Sequence, residues 1–270
     1  MEPDYAERRA ELLRDLDGLR VEVDGARKVG YLILDRPPLN VVSYRARAQI
    51  RALIEAFDDD PQVGVVVIRG AGGVFTSGAD VKGFPEIPKD GMSALADDIG
   101  APERCSKPVI AALEKYAFGV GFELALACDF RLATRDTLVG LPEVTIGQMP
   151  GSGGSVRVAR IAGLTRAKAM AMLGRRLEAG TALDWGLLTE LADDGAALDA
   201  MIEGYAAELN ALAPISLRTL KRVLNTAYDS SLKVALEVEG NAYEKLRATE
   251  DYAEGIKAFT EKRKPRFKGA

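Results

Sequence analysis

Up to about residue 155 the chain alternates short strand patterns with helical ones, and beyond that point its apolar spacing is helical throughout. Such an order restricts the fold to α/β layering with a helical C-terminal third, and the absence of a low-complexity linker predicts that the two parts pack together. LRVEVDG and VGYLILDR, near residues 19–25 and 29–36, alternate apolar and polar residues around a short turn and predict a hairpin. RPPLNVVS ends the second strand with paired prolines, and Ser43 stands where it would cap a helix running to about Phe57, with Ile50, Leu53, Ile54 and Phe57 on one face. PQVGVVVIRG reads as a buried strand, and residues 108–119 and 129–140 as further strands interleaved with short helices. Strand signals then vanish, and helices are expected around 164–174, 181–187, 196–212, 214–228, 231–246 and 250–262.

Composition excludes several functions. With 47% hydrophobic and 28% charged residues, a chain of 270 is a globular protein with a sizeable core rather than a disordered or fibrous one. Histidine is entirely missing, which removes every mechanism that depends on an imidazole base or a histidine-ligated metal. Forty acidic against thirty-six basic residues give a net charge of −4, so no overall field holds a nucleic acid. Cys105 and Cys128 fit neither a disulfide framework nor a metal spacing. No apolar run approaches a membrane span and the charged N-terminus is unlike a secretory signal, so a cytoplasmic location is expected.

Three glycine-rich stretches follow strand patterns: VFTSGADVKGF from Val74, GVGFELALACDF from Gly119 and LPEVTIGQMPGSGG from Leu141. Backbone amides are free at such places to bind an anion. The second passes at once into an apolar helix, which aims the N–H groups near Val120 and the helix's positive end at one point, as an oxyanion hole requires. Taken singly, these are equally tight turns. Glu123 is equally a first-turn carboxylate favoured by the helix dipole, and Glu143 a helix-start residue after Pro142. The GVG run lacks the third glycine of a dinucleotide fingerprint.

Taken together and in this order, LDRPPLNVVS, FTSGADVK, VGFELALACDFRLAT, LPEVTIGQMPGSGG, AMAMLGRRLEAGTALDWGLLTEL and EDYAEGIKAFTEKRKPRFKG resemble the enoyl-coenzyme A hydratase/isomerase family, the crotonase superfamily, nearly end to end. The resemblance implies an α/β crotonase fold. It divides the chain into an N-terminal helix or arm over 1–17, a spiral of ββα units over 18–200 and a helical trimerisation region over 201–270. It also implies an acyl-CoA thioester substrate, no metal or redox cofactor, and a homotrimer or dimer of trimers. The family's oxyanion-hole amides fall on Ala79 and Val120, and its coenzyme-binding positions on Ser77 and Asp80. Phe259 and Lys262 become candidates for a contact to a neighbouring subunit's coenzyme, although a solvated basic tail accounts equally for the KRKPRFK run.

Mechanism follows from the thioester. Two N–H donors at its carbonyl oxygen stabilise an enolate-like transition state, one such donor being worth roughly 3–4 kcal/mol. Without histidine, two carboxyl groups in different ionisation states must handle the protons. By resemblance to the hydratases, Glu123 activates the water that attacks C3 and Glu143 delivers a proton to C2, with Gly151 near the water. Retention of both glutamates implies an enoyl-CoA hydratase. The alternatives are an acyl-CoA hydrolase, a Δ3-Δ2-enoyl-CoA isomerase, or a coenzyme-binding subunit without activity. Departures from the pattern are valine at 120 where glycine is frequent, Pro38 where a lysine often meets phosphate, and leucine before Pro142. Residues 83–106 form the variable acyl-pocket region, offering Phe84, Ile87, Met92, Leu95 and Ile99.

Overall fold

The computed structural model describes residues 10–86 and 95–270. Strands β1 (Leu19–Asp24) and β2 (Val29–Leu34) form the expected antiparallel hairpin. Helix α1 (Tyr44–Asp59) follows, and the Ser43 hydroxyl accepts the Ala46 N–H at 3.0 Å at its start. Strand β3 (Val65–Gly70) lies parallel to β2, and α2 (Leu95–Ile99) and α3 (Ala101–Arg104) lead to β4 (Val109–Leu113), parallel to β3.

From here the chain passes repeatedly between two sheets. Lys115, at φ 60, turns it out of β4 into β5 (Tyr116–Phe118) of the second sheet, and α4 (Val120–Leu126) follows directly. Strand β6 (Phe130–Thr134) returns to the first sheet beside β4, and β7 (Leu138–Gly140) joins β5 in the second. Helices α5 (Gly154–Ala162) and α6 (Leu164–Ala171) precede β8 (Arg176–Glu178), antiparallel to β7. After α7 (Ala179–Asp184), β9 (Glu190–Ala192) closes the first sheet beside β6. The order is β1-β2-β3-β4-β6-β9 in one sheet and β5-β7-β8 in the other. Single bridges from Val42 to Ala79 and from Thr76 to Ala117 extend the second sheet backwards, so successive turns of a ββα spiral each touch both layers.

Strands β8 and β9 correct the expectation that strand structure ends near 155. Each has three residues, RLE and ELA, too few for an alternating pattern, and each is recruited by a neighbour already in place. The central strands are buried on both faces. Val66 and Ile68 pack with Ile50, Ile54 and Phe57 of α1, while Val65 and Val67 pack with Leu198 and Ile202 of α8 (Gly195–Asn210). Helices α9 (Pro214–Asp229), α10 (Leu232–Leu246) and α11 (Glu250–Thr260) complete the chain. No helix among the described residues is long and apolar enough to cross a membrane.

A buried lysine fastens this last region to the spiral. Lys221 of α9 donates from Nζ to the Asp129 carboxylate at 2.7 Å and to the carbonyls of Pro102 and Lys107 at 2.8 and 2.9 Å. Burial raises the Asp129 pKa, and Lys221 opposes that shift. Removing the cation leaves a buried carboxylate and two carbonyls without it, so Lys221→Met should destabilise the protein by about 3–5 kcal/mol. Urea unfolding followed by far-UV circular dichroism measures this, and a loss under about 1 kcal/mol would contradict it.

Candidate active site

A cavity of about 680 Å³ opens between the start of α1, the loop after β3, the start of α4 and the loop between β7 and α5. Its wall holds two backbone donors in matching positions. Thr76 bridges Ala117 in parallel, and Ala79 and Val120 each lie three residues beyond that pair. Val42 donates to Gly78 O at 2.9 Å and accepts from Asp80 N at 3.0 Å, which leaves the intervening Ala79 N–H without an acceptor among the described residues. Val120 is the first residue of α4, where an N–H has no intrahelical partner. Both donors follow glycines at positive φ, Gly78 at 115° and Gly119 at 52°. A Cβ on Gly119 would also stand 3.0 Å from the Glu143 carboxylate, so its missing side chain lets that group approach.

Glu123 and Glu143 both line the cavity, in opposed environments. Glu123, 2% exposed on α4, accepts the Ser152 and Gly154 N–H groups on Oε1 at 2.8 and 2.9 Å. Glu143 opens a single 3-10 turn, Glu143–Ile146, after Pro142. Its Oε2 is buried with no hydrogen-bond partner. Burial, with the charge of Glu123 adding to it, pushes the Glu143 carboxyl up to about 7. One glutamate is thus held by donors that suit a carboxylate, and the other is set to carry a proton near neutral pH.

The remaining expected residues divide. Ser77, Phe84, Leu95 and Gly151 line the cavity, whereas Asp80 does not, and its carboxylate meets Arg36 at 3.4 Å. Ile99 is a correction: it is wholly buried in the core, packed in the cluster of α1 rather than the acyl pocket. Ile87 and Met92 lie outside the described residues. Phe259, 85% exposed at the end of α11, and Lys262 beyond it are not part of the cavity wall. Tyr44 and Arg47 of α1 are, and sequence reasoning missed them. A signal existed, since Arg47, Ile50 and Ile54 follow i, i+3, i+7 spacing and so put an arginine on the helix's apolar face.

The raised Glu143 pKa carries a stability consequence. The folded state holds this proton up to about 7 whereas the ordinary value is 4.5, so the folded protein binds more protons between those limits. Its stability contribution therefore falls as pH rises from about 4.5 to about 7. Glu143→Gln should remove that component, and urea unfolding of both proteins across this range measures it. Parallel pH profiles would contradict the assignment.

Comparisons with known proteins identify the family and the fold. The enoyl-CoA hydratase/isomerase family model matches residues 24–270. A Rhizobium meliloti protein named probable enoyl-CoA hydratase is 36% identical over 258 residues, spanning 93% of this chain and 97% of the relative. A Bacillus subtilis protein of the same name is 35% identical over 250 residues, spanning 89% and 95%. The crystal structure of enoyl-CoA hydratase from Bacillus anthracis superposes with a TM-score of 0.87 at 31% identity, covering 94% of this chain and 100% of that one. The family match and the superposition agree, and the chain belongs to the enoyl-CoA hydratase/isomerase family and has its crotonase fold.

Proposed function

We propose that this protein is an enoyl-CoA hydratase that adds water across the 2,3 double bond of an α,β-unsaturated acyl-CoA thioester. The observation that carries this reading is the pair of glutamates in one cavity, one clamped by two amides and the other pushed up to about 7. The thioester carbonyl oxygen accepts the Ala79 and Val120 N–H groups, which draws electron density from C3. Glu123 takes a proton from a water near Gly151 as the water oxygen bonds to C3. Electrons pass through C2 to the carbonyl oxygen, and as they return C2 takes the proton of Glu143. The product is the 3-hydroxyacyl thioester, and proton exchange from Glu123 to Glu143 through solvent restores the site.

Ser77 beside the cavity is assigned to the coenzyme, with Asp80 holding its loop through Arg36. The exposed Leu220, Leu224, Leu232, Leu236 and Phe259 on the C-terminal helices support assembly into a homotrimer or dimer of trimers, in which Phe259 and Lys262 meet a neighbour's coenzyme.

Single-turnover assays on a 2-enoyl-CoA test the two roles. Glu123→Gln and Glu143→Gln should each lower the hydration rate by at least about a hundredfold, the usual worth of a positioned acid or base. Retention of Δ3-Δ2 isomerisation by Glu123→Gln, with no hydration by the parent protein, would overturn the reading in favour of an isomerase working through Glu143 alone.

A further inference from the structure

Arg47 is a buried cation that the hydration chemistry leaves without a role. It is 5% exposed on α1, yet it lines the cavity. A guanidinium carries five N–H donors. The contacts of this one are the Ser152 hydroxyl, 3.3 Å from Nη1, and the face of the Tyr44 ring, 4.7 Å from Cζ. Its Nε is buried without a partner. Among the described residues no carboxylate lies within ion-pair distance, neither Glu123 nor Glu143 included. Burial pulls its pKa down, and the charges of Glu123, Asp98 and Glu143 offset only part of that.

We propose that Arg47 selects acyl-CoA thioesters whose acyl chain ends in a carboxylate, which it binds within the cavity. This rests on the hydratase reading only for the substrate's double bond, since the binding argument concerns the acyl terminus alone. A planar carboxylate matches the guanidinium fork and accepts two parallel N–H bonds, whereas a terminal methyl accepts none and leaves a desolvated cation uncompensated. A role for Arg47 as counter-charge to the glutamates would predict direct pairing, and among the described residues neither Glu123 nor Glu143 pairs with it. Val81, Phe84, Leu95, Ile146 and Met149, among the described residues, give the same wall apolar surface for an aliphatic chain.

Binding of saturated thioesters, which cannot be hydrated, separates this proposal from the reaction assigned above. Calorimetry would compare chain-matched pairs in which a carboxylate replaces the terminal methyl: butanoyl- with succinyl-CoA, pentanoyl- with glutaryl-CoA, and hexanoyl- with adipyl-CoA. The intact protein should bind the carboxylated member of at least one pair about tenfold more tightly. Arg47→Met should abolish the difference, and Arg47→Lys, which keeps a charge but loses the fork, should retain only part of it. Equal or weaker binding of all three carboxylated thioesters by the intact protein would overturn the proposal, as would a preference unchanged in Arg47→Met. A protein that hydrates no 2-enoyl-CoA but discriminates within these pairs would refute the hydratase reading and leave the Arg47 assignment standing.

Discussion

The grip of two backbone amides on one carboxylate oxygen organises the site. Glu123 Oε1 takes the N–H groups of Ser152 and Gly154, and that contact joins α4 to the loop leading into α5. A Cβ on Gly154 would stand 2.7 Å from Glu123 Cγ, so the approach depends on glycine there. With Glu123 held, Glu143 has a neighbouring charge to avoid and little water in which to ionise, and its proton affinity rises. The raised proton affinity of Glu143 is therefore chiefly a product of burial, with the charge of Glu123 adding to it. In the proposed hydratase the pair supplies acid and base, in a chain that has no histidine.

The ββα spiral makes the matching donors possible. Thr76 and Ala117 sit side by side in parallel segments, and each segment then reaches a glycine at positive φ followed by a free N–H. Two amides from different turns of the spiral thus face one cavity without any side chain having to place them. Because a backbone donor tolerates substitution of its own side chain, Val120 keeps an N–H at the start of α4 just as a glycine there would.

Much of this was legible in the residues, for reasons that can be named. The hairpin, α1 with its Ser43 cap and the long C-terminal helices follow from periodicity and local hydrogen bonding. Strands β8 and β9 did not, because three residues carry no period and their pairing is imposed by β7 and β6. Glu123 and Glu143 were found by motif, but their contrast depends on Ser152, Gly154 and burial, which are contacts distant in sequence. Ile99 was misplaced because hydrophobicity alone does not distinguish a core position from a pocket lining. Arg47 was missed, although its spacing puts a charge on an apolar helix face, and the fold sets it in the wall of the cavity that Glu123 and Glu143 also line.

The central claim is that Glu123 and Glu143 act as a base and acid pair on opposite ends of one double bond. Incubation of the protein with a short 2-enoyl-CoA in D₂O enriched in ¹⁸O, followed by mass spectrometry and NMR of the product, addresses it most directly. The account predicts an intact thioester carrying ¹⁸O at C3 and a single deuterium at C2, added to the same face. Free coenzyme A, or deuterium at C4 without incorporation of oxygen, would contradict it.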